Sequence, residues 1–94
     1  MSRAKPSPFA HGRSEFWERK ATVQAIDREQ HRLATRLRDL RAERKLTQAQ
    51  AAEAAGVHVV QIARLEAGRA NTTVATLVAL AGAYGVTVGQ LFRE

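Results

Sequence analysis

The 94-residue chain has room for one compact domain and carries fifteen Lys or Arg against nine Asp or Glu, a formal net charge of +6. The absence of cysteine excludes disulfides and thiol chemistry, and a composition rich in alanine and leucine and poor in aromatics favours helices. The longest apolar stretch, residues 74–88, is too short to cross a bilayer, and the first residues lack the apolar run of a secretory signal. We therefore expect no membrane segment and a cytoplasmic location.

The positive charge is concentrated in the first half of the chain. Residues 1–45 hold twelve Lys or Arg against six Asp or Glu, whereas residues 46–94 hold three against three. A basic segment attracts polyanions, of which nucleic acid is the commonest, although a solvated, self-repelling tail has the same composition.

The first part of the chain divides into a tail and a helical extension. Residues 1–13 combine prolines, serines, a glycine and basic side chains, which predicts a disordered tail. Residues 14–30 form a predicted helical extension, and residues 31–94 a predicted domain. An apolar stripe with a seven-residue repeat runs along this region, interrupted by Arg19 and Gln30; it comprises Phe16, Val23, Ile26, Leu33, Leu37 and Leu40. The stripe fits one long helix, but the polar residues 27–32 also allow two helices joined near residues 27–30.

Shorter helices follow, and no strand is expected. Thr47 with Gln50 forms a capping box for a helix over residues 48–55 that stops at Gly56. The next helix is expected over residues 59–67, ending at Gly68. Threonines begin the last two helices, which cover residues 74–84 and a final turn through residues 91 and 92; the delimiting residues are Thr73, Gly85, Thr87 and Gln90. The sequence therefore predicts an all-α fold.

Residues 33–92 resemble the Xre family of helix-turn-helix proteins, which includes phage repressors and Cro. The matching segments are LRDLRAERKLTQ at residues 37–48, AAGV at 54–57, IARLEAG at 62–68 and TLVALAGAYGVTVGQLF at 76–92. The resemblance implies a five-helix, lambda-repressor-like domain that binds operator DNA, usually as a dimer on a pseudo-palindrome. The extension before residue 31 is not part of the family core.

The resemblance also implies roles for individual residues. Gln48 matches a glutamine that contacts a phosphate and braces the recognition helix, and Arg41 with Glu66 matches a buried ion pair. Positions that touch base edges are occupied by Val59, Val60, Ala63 and Arg64. Positions of the phosphate-binding loop are occupied by Arg69 and residues 71–73, which include Asn71 and Thr73. Thr72 replaces the family's usual proline.

The two valines are unusual for a helix that reads bases. At 100° per residue, Val60 and Arg64 project away from the face shared by Ile62 and Leu65, and Val59 lies on a flank. Either the valines pack on thymine methyl groups, which apolar side chains do read, or one of them fills the core and the other is neutral.

Phosphate binding needs cations, and residues 46–94 are neutral overall. We expect it to come from helix N-termini, Arg64, Arg69 and cations of the first helix, which are Arg38, Arg44 and Lys45. His58 stands where serine or threonine would cap the recognition helix; it either turns its ring to a phosphate or is a plain turn residue.

The extension contains candidate interface residues, namely Phe16, Trp17, Val23 and Ile26. They could fold back on the domain, form a dimer seam or bind another protein; the seven-residue repeat favours a homodimer. Catalysis is not expected, because His11, His31 and His58 are scattered and no phosphate loop or nucleophile setting appears. We expect no metal and no cofactor.

The sequence therefore predicts a dimeric transcriptional regulator that binds double-stranded DNA and is not an enzyme. Two alternatives remain open. One is an antitoxin whose N-terminal arm binds a toxin while its domain represses its own promoter. The other is a restriction-modification controller.

Overall fold

The computed structural model describes residues 15–93. For residues 15–18 it describes the backbone but not the side chains. It contains α1 (Glu15–Glu43), α2 (Gln48–Ala55), α3 (Val59–Glu66), α4 (Val74–Tyr84) and α5 (Val88–Leu91). Over the described range there is no strand, so the all-α prediction is confirmed. The predicted tail, residues 1–13, lies outside the described residues.

The first helix is a single element of 29 residues, about 43 Å long at 1.5 Å per residue. The alternative of a break near residues 27–30 is wrong. No glycine or proline interrupts the segment, and its polar side chains support the helix through local pairs. Asp27 Oδ1 lies 3.5 Å from His31 Nδ1, and Glu29 Oε1 lies 3.5 Å from Arg32 Nη1. The predicted extension and the predicted domain are thus joined by unbroken helix.

Three threonines begin three of the helices. The side chains of Thr47, Thr73 and Thr87 each accept a hydrogen bond from the backbone N–H three residues later. At Thr47 and Thr87 a glutamine side chain also accepts from the threonine N–H, which completes the capping box. The predicted starts of α2, α4 and α5 are therefore confirmed.

Four helices end in the same paired hydrogen-bond pattern, closed by a residue with positive φ. Three of these residues are glycines, as predicted: Gly56, Gly68 and Gly85. At the end of α1 the position is taken by Lys45, with φ 56°. Lys45 N–H donates to Ala42 O at 3.0 Å and Leu46 N–H to Arg41 O at 3.1 Å. Because α3 ends at Glu66, it is one residue shorter than predicted.

The core forms where the C-terminal half of α1 meets the other four helices. The fully covered large side chains come from four elements and are Leu37, Leu40, Ile62, Leu80, Tyr84 and Leu91. Helices α3 and α5 pack on α1, while α2 packs on α3 and α4. This arrangement fixes α3 between α1 and α2 and leaves its opposite side open. Among the described helices, none is both long and apolar enough to cross a membrane.

Lys45→Gly should stabilise the fold by about 1 kcal/mol, because a side chain in the left-handed conformation is strained and glycine is not. Thermal or urea unfolding of the full chain measures the change. Ala42→Gly is the matched control, since Ala42 is exposed in the last turn of α1 with ordinary helical geometry. It should destabilise by a similar amount. If both variants changed the free energy of unfolding in the same direction, the assignment of strain to Lys45 would be contradicted.

Candidate nucleic-acid interface

Helices α2 and α3 are joined by a three-residue turn. Gly56 has φ 70°, and Val57 N–H donates to Ala52 O at 3.0 Å, which closes α2 before the chain changes direction. His58 then begins α3. Its ring makes no capping hydrogen bond; instead Gln61 Oε1 accepts from His58 N–H at 3.1 Å. The turn therefore keeps half of a capping box and leaves the His58 ring exposed.

The two faces of α3 differ sharply. Ile62 and Leu65 are buried in the core. The predicted base-reading residues Ala63 and Arg64 are exposed, and Val59 and Val60 are 44% and 55% exposed. The interpretation in which one valine fills the core is therefore wrong. Both valines and the arginine stand together on an open helical surface.

Glu66, the last residue of α3, is the buried anchor of that helix, with 4% of its surface exposed. Arg41 donates to both carboxylate oxygens, from Nε at 2.7 Å and from Nη2 at 2.9 Å. Gln48 Nε2 donates to Oε1 at 3.1 Å. The hydrogen bonds that Arg41 donates to Glu66 raise the pKa of Arg41, so this guanidinium stays charged. One carboxylate thus ties α1, α2 and α3 together.

Two further arginines of α1 and Arg44, which directly follows α1, donate to carbonyls at the ends of other helices. Arg38 Nη1 donates to Glu66 O at 2.8 Å, Arg44 Nε to Tyr84 O at 2.7 Å, and Arg36 Nε to Gln90 O at 2.9 Å. These acceptors lie at the C-termini of α3, α4 and α5, where carbonyls lack helical partners and the helix dipole favours a cation. Arg38 and Arg44 thus hold the fold together, and the phosphate contacts expected of them stay a prediction. Lys45 remains exposed.

The cations near α3 behave differently. Arg64 and Arg69 are both exposed, and neither guanidinium group donates a hydrogen bond within residues 19–93. Arg69 directly follows Gly68, at the start of the segment that leads to α4. The two guanidinium groups are therefore available to an external anion.

The predicted phosphate-binding segment, residues 71–73, carries contacts of its own. Asn71 Oδ1 accepts from Gln30 Nε2 at 3.1 Å, and the same amide donates to Ala70 O at 3.3 Å. Thr73 Oγ1 accepts from Thr76 N–H at 3.1 Å as the cap of α4. Sequence reasoning missed the role of Gln30. Its signal was a polar residue in the apolar stripe at the point where α1 meets the domain.

The predicted interface residues of the extension are not gathered at this site. Val23 and Ile26 lie on the N-terminal half of α1, and the side chains of Phe16 and Trp17 lie outside the described residues. The backbone of residues 15–30 continues the axis of α1, so the extension does not fold back on the domain. Within residues 19–93, no three His, Asp or Glu side chains lie close enough to hold a metal ion.

Residues 37–91 match the model of a helix-turn-helix family, HTH_3. The chain belongs to this family. It is 45% identical over 62 residues to the HTH-type transcriptional regulator DdrOP3 of Deinococcus deserti, covering 66% of this chain and 48% of that protein. It is 42% identical over 59 residues to the immunity repressor protein of Bacillus phage phi105, covering 63% of this chain and 41% of that one.

A solved structure shares the fold. The crystal structure of an HTH_3 family transcriptional regulator from Vibrio cholerae matches 71% of this chain and 38% of its own, with a TM-score of 0.68 and 25% identity. The family resemblance seen in the sequence is thus confirmed. The matched region spans less than half the length of each of these relatives.

Glu66→Ala should destabilise the fold by about 3 to 5 kcal/mol, because it leaves the half-buried Arg41 without its partner. Chemical denaturation of the full chain measures the loss. Glu53→Ala is the matched control, since Glu53 is exposed on α2, and it should change stability by less than about 0.5 kcal/mol. Equal stabilities for the two variants would show that the pair does not hold α3.

Proposed function

We propose that residues 31–94 bind double-stranded DNA in a sequence-specific manner, and that the chain acts as a dimeric transcriptional regulator on a pseudo-palindromic operator. The observation that carries the proposal is the open face of α3, where two valines and an unpartnered arginine project from a helix anchored by a buried carboxylate. An α-helix fits the major groove, and a helix held at one end by a rigid network keeps its side chains in register with the bases.

The composition of the face indicates how it reads DNA. Thymine presents a methyl group in the major groove, against which Val59 and Val60 can pack, and guanine presents O6 and N7 to a guanidinium such as that of Arg64. Ala63 between them is small enough to let the helix approach closely. Methyl contacts discriminate bases less sharply than bidentate hydrogen bonds, so we infer that Arg64 contributes the larger share of specificity.

Phosphate contacts follow from the elements that flank α3. Arg69 is unpartnered, and Gln48 is held in place through its amide by Glu66, at the start of α2. The ring of His58 is exposed in the turn, while Asn71 and Thr73 lie in the segment before α4. Since most arginines of α1 already donate inside the chain, few cations among residues 19–93 remain for phosphates. We therefore infer that binding depends only modestly on salt.

The relatives support regulation over the other functions suggested by the sequence. Two of them are named as transcriptional regulators and one as an immunity repressor, which also agrees with the prediction that the chain is not an enzyme. These names favour the regulator ahead of the antitoxin and the restriction-modification controller.

Arg64→Ala should weaken binding to a selected duplex by about 1 to 3 kcal/mol while leaving binding to random duplex nearly unchanged. Arg69→Ala should instead weaken binding to both duplexes alike. It should also reduce the slope of log binding constant against log salt concentration by about 1. Fluorescence anisotropy at several salt concentrations measures both, after selection of the target from random DNA. Arg28→Ala, an exposed cation on α1, is the control and should change neither. If Arg64→Ala preferred the selected duplex over random duplex as strongly as the unmodified chain does, α3 would not be the helix that reads the bases.

A further inference from the structure

The apolar stripe of α1 is buried toward its C-terminal end and exposed toward its N-terminal end. The exposed part, residues 20–29, is called the bare half of α1. Leu33, Leu37 and Leu40 are buried in the domain core. The same seven-residue repeat continues toward the N-terminus, where Val23 is 64% exposed and Ile26 is 42% exposed. Gln30 stands at the boundary, where its amide binds the segment before α4. Nothing within residues 19–93 buries Val23 or Ile26, and a second helix laid along this end of the stripe would cover both side chains.

We propose that the bare half of α1 pairs antiparallel with the bare half of α1 from a second copy of this chain, with Val23 of one helix beside Ile26 of the other. The pair crosses over residues 20–29, about two and a half turns of each helix. Large apolar side chains then alternate across the contact, as in helix packing of ridges into grooves.

Charge complementarity supports the second copy as the occupant. Lys20 and Asp27 are both exposed and flank the stripe on the same side, seven residues apart. In the proposed register, Lys20 of each copy lies beside Asp27 of the other, and the twofold axis creates this pair twice. On the other flank Thr22 faces Glu29, so no like charges meet there.

A parallel pair fits the structure poorly. It would place each residue beside its own copy, so that Arg19 meets Arg19 within the stripe. The second helix would also have to continue along residues 33–40, where α3 and α5 already pack. Since α1 has no glycine or proline at which to bend, the two helices could not diverge at that point.

The antiparallel arrangement also gives a spacing that suits DNA, a step that rests on the proposed function. The twofold axis passes between residues 24 and 25, about 18 Å along α1 from the middle of the Leu33–Leu40 core segment. The two domains are then about 36 Å apart along the helix direction, close to one turn of the duplex, about 34 to 36 Å.

The contact is short, so the free dimer should be weak. About ten residues of each helix bury less than roughly 1,200 Å² in total, which is typical of transient complexes. We expect a dissociation constant on the order of 0.1 mM in the absence of DNA. Sedimentation equilibrium of the full chain from about 10 µM to about 1 mM covers this range.

The charge pairs provide the first test. Lys20→Glu and Asp27→Lys should each raise the dissociation constant about tenfold, because two attractive pairs become repulsive. The double variant Lys20→Glu/Asp27→Lys should return within about threefold of the unmodified chain. A parallel pair predicts no such rescue. Circular dichroism of each variant should show unchanged helix content, which separates lost pairing from lost folding.

The second test uses the absence of cysteine from the chain. In Lys20→Cys/Asp27→Cys the two thiols of one helix are about 10 Å apart along its axis, beyond the reach of a disulfide. Oxidation should therefore give a covalent dimer with two bridges between copies. Arg28→Cys, on the opposite side of α1, is the control and should stay monomeric at the same concentration.

Several outcomes would overturn the proposal. They are a chain that is monomeric at 1 mM, a double charge variant that is not rescued, and a double cysteine variant that does not cross-link. Loss of the dimer in Val78→Lys would place the interface on the exposed face of α4 instead. These measurements are made without DNA, and duplex binding is measured separately. A dimer that passes both tests but binds no duplex would refute the proposed function alone, and a chain that binds the duplex as a dimer but fails both tests would refute this proposal alone.

Discussion

The carboxylate of Glu66 is the constraint on which the rest of the structure depends. The carboxylate is buried and accepts three hydrogen bonds, two from Arg41 and one from Gln48. The backbone carbonyl of Glu66 accepts a fourth from Arg38. A buried ion pair adds little net stability compared with apolar packing, but it fixes geometry because an unpaired charge in the core is costly. Here that geometry is the position of α3 against α1 and α2. The outward valines and Arg64 are held at a set angle as a consequence.

The arginines between residues 36 and 44 are used inside the chain, which their contribution to the positive charge does not reveal. Composition favoured a polyanion partner for α1, yet Arg36, Arg38, Arg41 and Arg44 all donate to carbonyls or a carboxylate of the same chain. Three of these acceptors lie at the C-termini of α3, α4 and α5, where a cation interacts favourably with the helix dipole. The guanidinium groups of Arg64 and Arg69, in the electrically neutral half, make no such contact within residues 19–93, and we propose that they bind DNA. The proposed binding surface therefore rests on where individual cations lie and not on the total charge of the chain.

Local features of the sequence were sufficient for most of the fold. Threonine caps, closing glycines and the seven-residue stripe predicted the helices because each acts within a few residues. Lys45 escaped prediction because a left-handed lysine has no compositional signal, and the carbonyl contacts of α1 escaped because backbone acceptors are the same in every sequence. The outward face of Val60 followed from helical periodicity alone, whereas the partnership of Arg41 with Glu66 came from family resemblance. Helical periodicity predicts which side of a helix a residue faces, but it does not predict which distant residue it contacts.

The central claim is that DNA lies on the outer face of α3 and the segment that follows it, and not on the basic helix α1. An NMR titration of the ¹⁵N-labelled full chain with a selected duplex measures this residue by residue. Amide shifts should change most within residues 58–64 and 69–73, and least within residues 36–44. Changes confined to residues 36–44, with α3 unaffected, would contradict it.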